Sequence, residues 1–224
     1  MADYARQRIE APGPDCGLCP RLVAYRQANR AENPDWFNGP VPSFGDPAAR
    51  LLVVGMAPGV RGANRTGRPF TGDHAGQLLY TTLLKFGFAK GAYLADPNDG
   101  LQLRDCRIAN AVRCVPPANL PVPKEVTTCN RFLAAELQGM PNLRIMLALG
   151  VLAHAATLKA CGIKPARIRF QHGKIHELPD GLQLANSYHV SRYNTNTGRL
   201  TTAMFEAVVA EIAERLGPGA LGKE

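Results

Sequence analysis

The sequence predicts an α/β fold, a three-layer sandwich in which helices flank a central, mainly parallel sheet of about four strands. Short, continuous apolar runs at 50–56 and 143–150 are typical of strands buried on both faces. Segments with apolar residues at helical spacing, such as 72–88 and 201–217, alternate with these runs. Because strands separated by helices pair in parallel, we expect helices on both faces of the sheet.

The remaining elements continue this alternation. A helix is predicted at 19–30, followed by a loop rich in Pro and Gly, and a strand is predicted at 106–114. The helix predicted at 123–140 has a proline near its start, and the one at 151–162 ends at a glycine. Residues 168–191 read as two short strands around a Pro-Asp-Gly turn.

The size and charge of the chain limit its class. Its 224 residues, 46% of them hydrophobic, suit one domain over 1–224 with an N-terminal arm over about 1–47. No apolar run approaches the roughly 20 residues that span a bilayer, and residues 1–10 lack the apolar core of a signal peptide, so we expect a cytoplasmic protein. The net charge of +8 suggests nucleic acid as partner, although an ordinary basic protein also fits.

Three polar loops follow predicted strands, at 55–73, 110–120 and 189–199. Ligands of such folds bind at the carboxyl ends of the strands, so we expect one site built from all three loops. The first loop contains GVRGANRTGRPFTGD, whose glycines allow the backbone to approach a ligand closely. It has neither G-K-[ST] nor G-x-G-x-x-G, which disfavours a nucleotide-phosphate loop.

Each loop carries candidate site residues with an ordinary structural alternative. Phe70 can stack on a planar ring or pack in the core, and Asp73 can place a carboxylate in the site or simply cap the next helix. Asn110 offers both a donor and an acceptor for the edge of a base, or stabilises a turn. The third loop contains His189, which is more often structural when isolated, and a run of Arg, Ser, Thr and Asn typical of phosphate contacts.

Six cysteines in a cytoplasmic chain point to metal binding rather than disulfides. Four of them form the candidate ligand set, namely Cys16, Cys19, Cys114 and Cys129. Four thiolates suit either zinc or a four-iron cluster, and the spacing does not decide between them. Cys106 and Cys161 have apolar neighbours and are expected to be core thiols.

GMAPGVRGANRTGRPFTGDHAG, NAVRCVPP and HVSRYNTNTGRL together resemble the family 5, or type B, uracil-DNA glycosylases, from about Cys16 to the closing helix. The resemblance implies the uracil-DNA glycosylase fold and a 4Fe-4S cluster, rather than zinc, on the four cysteines. Met56 stands where family 4 has an acidic residue, which fits a range that includes hypoxanthine and xanthine besides uracil. Val190 replaces the usual Pro of the last motif and predicts a less rigid loop.

The resemblance also implies a monofunctional enzyme that flips a deaminated base out of DNA and hydrolyses its N-glycosidic bond. Phe70 would stack on the base, and Asn110 would read its edge. His189 would donate to the leaving base, and Asp73 would stabilise the sugar cation and orient water. The resemblance further implies that the backbone amides around Gly55, Ala57 and Gly59 contact the carbonyl oxygens of the base. The residues that it implies for DNA binding are Ser191, Arg192, Tyr193 and Arg199.

Two other functions fit parts of the sequence. A non-catalytic nucleic-acid binder with a structural Fe-S or zinc site would explain the charge and the cysteines, but not the three loops. A relative that traps DNA covalently is expected to carry a His near the first motif, and GVRGANRTGRPF contains none. We therefore expect a DNA repair glycosylase that starts base excision repair and acts as a monomer.

Overall fold

The computed structural model describes residues 9–217, so the two ends of the predicted domain, 1–8 and 218–224, lie outside the described residues. The strands are β1 (Phe44–Gly45), β2 (Leu51–Gly55), β3 (Ala89–Lys90), β4 (Gln102–Leu103), β5 (Cys106–Asn110), β6 (Ile145–Leu149), β7 (Ile175–Glu177) and β8 (Gln183–Ser187). The helices are α1 (Pro20–Glu32), α2 (Ala63–Thr66), α3 (His74–Lys85), α4 (Pro123–Gln138), α5 (Val151–Ala160), α6 (Arg192–Asn196) and α7 (Thr202–Leu216).

Six strands form one sheet in the order β1-β5-β2-β6-β8-β7, and β3 pairs with β4 as a separate hairpin. The four inner strands, β5, β2, β6 and β8, run parallel. The edge strands β1 and β7 are antiparallel to their neighbours. The α/β class and the mainly parallel sheet are confirmed. The sheet was predicted with about four strands and has six, of which four are parallel; β7 is one of the two short strands predicted within 168–191, and β1 is an edge strand that was not predicted.

Both faces of the sheet are covered, as the apolar runs predicted. Along β2, Leu51 and Val53 join a core that contains residues of α3 and α7. The alternate residues Leu52 and Val54 join a second core with residues of α4 and α5. All four side chains are fully buried, which explains why the strand is apolar without alternation.

The five helices and the strands expected from periodicity are present within a few residues of their predicted ends. The main differences are β7, which begins at Ile175 although the predicted segment begins at residue 168, and β5, which ends at Asn110 instead of residue 114. Beyond it, the amides of Ala111 and Val112 still donate to the carbonyls of Gly55 and Met56, at 2.9 Å each. The loops after β2 and β5 therefore leave the sheet side by side.

Several short elements were not predicted, namely β1, the β3–β4 hairpin, α2 and α6. Segments this short contain less than two periods of a helix or strand pattern, so periodicity carries no signal there. Among residues 9–217, no helix is both long and apolar enough to cross a membrane.

Candidate active site

A pocket of about 770 Å³ opens at the carboxyl edge of the parallel strands, and all three polar loops line it. Of the residues singled out in the sequence, those that line it are Ala57, Gly59, Phe70, Asp73, Asn110, His189, Ser191 and Arg192. Gly55 lies beneath the pocket, and Tyr193 and Arg199 lie outside its wall. The structure therefore brings residues more than 100 positions apart into one cavity.

A fourth segment of the wall was missed by sequence reasoning. It begins at the last residue of β6 and comprises residues 149–152, in which the side chain of Val151 is 61% exposed. Gly150 has φ of +96°, and a Cβ atom there would lie 3.4 Å from the Cβ of His189. The segment Leu-Gly-Val-Leu has no polar side chain, so only its place after a parallel strand could have drawn attention to it.

The floor of the pocket depends on Gly55. A Cβ atom on this residue would lie 2.3 Å from Asn110 Oδ1 and 2.5 Å from Phe70 Cζ. Only glycine allows these two side chains to approach the strand end so closely. Asn110 is 3% exposed, and its Oδ1 is buried without a hydrogen-bond partner among residues 9–217. A buried acceptor without a partner is costly, which marks it as a group awaiting a ligand.

Phe70 is held in an unusual backbone conformation. Its φ is +53°, in the left-handed region that bulky side chains rarely adopt. Two tyrosines hold the chain there: Tyr80 Oη donates to the carbonyl of Pro69 at 2.6 Å, and Tyr93 Oη donates to that of Phe70 at 3.2 Å. The Phe70 ring is 7% exposed, and its centroid is 6.1 Å from that of the His189 imidazole.

Arg68 supports both tyrosines from behind. The tyrosine rings stack at a centroid distance of 4.7 Å, and the guanidinium lies 5.5 Å from Tyr80 and 5.9 Å from Tyr93. Two bonds of 2.8 Å join the guanidinium to both carboxylate oxygens of Asp99. These bonds lower the pKa of Asp99 to about 2. Phe70 thus rests on a buried ion pair through two phenol rings.

Asp73 uses its two carboxylate oxygens differently. Oδ1 caps α3 and accepts from the amides of Ala75 at 3.1 Å and Gly76 at 3.4 Å. Oδ2 faces the loop, since a Cβ atom would lie 2.2 Å from it on Gly62 and 3.0 Å from it on Gly59. Burial raises the pKa of Asp73, and the two amide bonds oppose that rise. The capping role and a role in the pocket are therefore compatible.

His189 is partly buried in the pocket wall, and burial lowers its pKa, which favours the neutral imidazole at pH 7. Its carbonyl accepts from Asn194 Nδ2 at 2.8 Å. The next side chain, Val190, is fully buried in the core. These two anchors restrain the loop in a chain that lacks proline at position 190.

The third loop leads into α6, which also contacts the start of α3. Ser191 caps α6 by accepting from the amide of Asn194 at 3.4 Å. His74 Nε2 lies 3.0 Å from Thr195 Oγ1 and so joins the two helices beside the pocket. Neither His74 nor this bridge was predicted, because a contact between residues 121 positions apart leaves no local pattern.

Tyr193 and Arg199 lie further out on the same loop. The Tyr193 side chain is 70% exposed. Arg199 lies over the ring of Tyr188 at 4.7 Å from its centroid, which positions its guanidinium by a cation–π contact. Both residues are exposed, and neither lines the pocket.

A sequence profile of the uracil DNA glycosylase superfamily matches residues 42–213. The chain is 47% identical to the type-5 uracil-DNA glycosylase of Thermus thermophilus over 208 residues, which cover 90% of this chain and 93% of that protein. This chain belongs to the type-5 uracil-DNA glycosylase family. The type-5 enzyme of Pyrobaculum aerophilum is 40% identical over 91% of this chain and 90% of its own length. The type-4 enzyme of that organism is 30% identical over 73% and 69%. The family resemblance stated from the three motifs is confirmed.

In this type-5 chain, the four candidate ligand cysteines lie in one cluster, and one of them belongs to the loop that follows β5. The side chains around a small cavity there include Cys16, Cys19, Cys114 and Cys129. Arg26 Nη1 donates to Cys114 Sγ at 3.6 Å, and the amide of Arg113 donates to Cys129 Sγ at 3.4 Å. Burial raises the pKa of Cys114 to about 11 and also raises that of Cys129. Within residues 9–217, no three or more His, Cys, Asp or Glu side chains already stand in metal-binding geometry.

The other two cysteines of this type-5 chain lie apart from that group. Cys106 is 1% exposed in β5 and belongs to the main core. Cys161 is half-buried directly after α5 and packs against the second core. Burial raises the pKa of both thiols, that of Cys161 to about 11. Cys106 is therefore the core thiol that its apolar neighbours predicted, whereas Cys161 is only half-buried at the edge of the second core.

Replacing Asp99 by Asn tests the ion pair behind Phe70. Because the pKa of Asp99 is lowered from 3.8 to about 2, the pair stabilises the fold above about pH 4 and loses this effect toward pH 2. We expect Asp99→Asn to lower the free energy of unfolding at pH 7 by about 2 kcal/mol. Urea denaturation at pH 7 and pH 3 should show a smaller difference from wild type at pH 3.

Glu211→Gln is the control for this change, since Glu211 pairs with Arg215 on the exposed face of α7. Its loss should cost less than about 1 kcal/mol. A loss in Asp99→Asn that is the same at both pH values would contradict the ion-pair explanation.

Proposed function

We propose that this chain excises uracil from DNA by hydrolysing the N-glycosidic bond and so starts base excision repair. The observation that carries the proposal is the pocket in which Phe70, Asn110, Asp73 and His189 face one cavity. The names of the type-5 relatives support the same activity. Hypoxanthine and xanthine are included as further substrates, because Met56 lines the pocket without adding a charge.

The flipped base would lie against Phe70 and beside Asn110. The buried Oδ1 of Asn110, which lacks a partner among residues 9–217, suits the N3–H of uracil. The same amide group offers N–H donors to the adjacent base carbonyl. Backbone amides around Gly55, Ala57 and Gly59 would bind the remaining carbonyl oxygen, and the last two of these residues line the pocket.

Bond cleavage places negative charge on the base and positive charge on the sugar. The neutral imidazole of His189 would donate to the base as its C1′–N bond breaks and the bonding electrons leave with the base. Asp73 Oδ2 would stabilise the cation at C1′ and orient the water that attacks there. The fixed cap through Oδ1 would hold that oxygen in place without a separate positioning residue.

DNA would be held around the mouth of the pocket by Ser191, Arg192, Tyr193 and Arg199, with Arg192 in the pocket wall itself. Tyr193, largely exposed, would act as a stacking or wedge residue. We further propose that the enzyme is a cytoplasmic monomer, and that residues 1–224 form a single domain.

We also propose a 4Fe-4S cluster on Cys16, Cys19, Cys114 and Cys129. The donor set fits such a cluster, because all four cysteines line one small cavity and two N–H groups donate to the sulfurs of Cys114 and Cys129. When bound, the cluster would serve as a structural cross-link rather than a redox group. Cys16 and Cys19 of the N-terminal arm would then be tied to Cys114 in the loop after β5 and to Cys129 in α4.

Asp73→Asn separates helix capping from charge. Asn caps helices as well as Asp does, so the free energy of unfolding should change by less than about 0.5 kcal/mol. Single-turnover excision of uracil from a U·G duplex, read as strand breaks after alkali, should fall by about 100-fold. Because burial raises the pKa of Asp73, the wild-type rate should fall as acidification protonates this group, and the variant should lack that limb.

Two further variants complete this test. Asp73→Ala should lose both the cap, at about 1 kcal/mol, and the activity. His189→Ala should lower the rate by about 100-fold without affecting the cap. The role assignment fails if Asp73→Asn and His189→Ala both cleave at the wild-type rate, and the proposed function fails if the wild-type protein produces no breaks.

Arg192→Gln should weaken binding to all DNA sequences alike. Loss of one phosphate contact lowers the slope of log affinity against log salt by about 1. Arg144→Gln is the matched control, because Arg144 is exposed at the amino end of β6, on the opposite edge of the sheet. Its salt slope should equal that of the wild type. A loss confined to particular sequences would contradict a phosphate role for Arg192.

The purified protein should be brown and contain about four iron atoms per chain. Cys129→Ser should lose iron and expose the arm to limited proteolysis, because the cross-link is broken. Cys161→Ser is the control, since Cys161 lies outside the four-cysteine group and is half-buried. A colourless wild-type protein that binds zinc would show that the cluster assignment is wrong.

A further inference from the structure

A second cleft lies directly beside the base pocket. It has a volume of about 660 Å³ and shares Val60 and Arg61 with the base pocket. Its walls come from α1, from the segment that follows α1 and from the loop around α2. The side chains on which the argument depends are Tyr25, Glu32, Trp36, Arg61 and Arg65.

The aromatic part of the cleft is centred on Trp36, the single tryptophan of the chain. Its side chain is partly exposed, and its backbone is fixed on both sides. The amide of Trp36 donates to Asn33 O at 3.1 Å, and that of Phe37 donates to Arg65 O at 3.0 Å. A fixed, accessible aromatic face is the type of surface on which unpaired nucleobases stack.

The charged part of the cleft consists of Arg61 and Arg65, which are both exposed. Arg65 Nε donates to the carbonyl of Arg61 at 3.0 Å, which leaves its terminal nitrogens available. The ion pairs found among residues 9–217 use other arginines. Glu32 also lines the cleft, so two cations stand against one carboxylate. An arginine next to an aromatic face suits a nucleotide, because the phosphate binds the arginine while the base stacks on the ring.

We propose that this cleft, which we call the Trp36 cleft, binds a nucleotide that flanks the flipped one on the same DNA strand. The base would stack on Trp36, and its phosphate would contact Arg61 and Arg65. Arg61 borders both cavities, which suits a phosphate between the flipped nucleotide and its neighbour. The inference rests on the proposed function, and it extends the substrate to DNA in which the flanking base is also unstacked.

The flanking contact is tested by removing single bases from the DNA and by replacing Trp36 in the protein. Single-stranded oligonucleotides carry 2′-fluoro-deoxyuridine, whose glycosidic bond resists cleavage, and an abasic spacer replaces the base on either side of it in turn. Wild-type affinity, measured by fluorescence anisotropy, should fall about tenfold for one of the two spacers. Trp36→Leu should bind both forms alike, whereas Trp36→Phe keeps a ring and should retain most of the difference.

The charge is tested separately with a duplex that carries the same 2′-fluoro-deoxyuridine and no spacer. The double variant Arg61→Gln/Arg65→Gln should lower the salt slope of binding by about 2, and the Arg144→Gln control should not change it. The proposal is overturned if Trp36→Leu responds to both spacers as the wild type does, or if the double variant keeps the wild-type slope. Either result leaves uracil excision by the wild type intact, so it is distinct from a failure of the proposed function.

Discussion

The parallel pairing of β5, β2, β6 and β8 determines where every functional loop of this protein can lie. Parallel strands end at the same edge, so the loops that follow them must leave the sheet together. The hydrogen bonds from Ala111 and Val112 extend this pairing past the strand ends and keep two of the loops in register. The absence of a side chain at Gly55 then allows Asn110 and Phe70 to meet above the central strand.

Much of this arrangement could be predicted because it depends on patterns within short stretches of the sequence. Buried strands and amphipathic helices leave apolar patterns over many residues, and the position of polar loops after strands indicates the ligand-binding edge. The motifs around Phe70, Asn110 and His189 added the family, which the relatives confirm. What the motifs could not decide was whether Asp73 is a cap or a pocket residue. The structure shows that its two oxygens allow both.

The parts that could not be predicted depend on contacts between distant segments. The ion pair of Arg68 with Asp99 and the two tyrosines it supports become a unit only in three dimensions. The same is true of the Trp36 cleft, whose lining comes from α1, from the segment that follows α1 and from the first motif loop. Single Trp, Arg or Tyr residues in loops have no spacing that distinguishes such a role from ordinary exposure.

The central position of β2 affects how the chain is synthesised as well as how it works. A ribosome releases the β2 residues Leu51–Gly55 long before Cys106–Asn110 and Ile145–Leu149, the two strands that will enclose them. Both edges of this apolar strand are unpaired until β5 emerges, and one edge stays unpaired until β6 emerges; such strands readily associate with other chains. During its synthesis the chain therefore passes through a period in which the exposed edges of β2 must be kept from pairing with other chains. That period ends only when β6 has emerged.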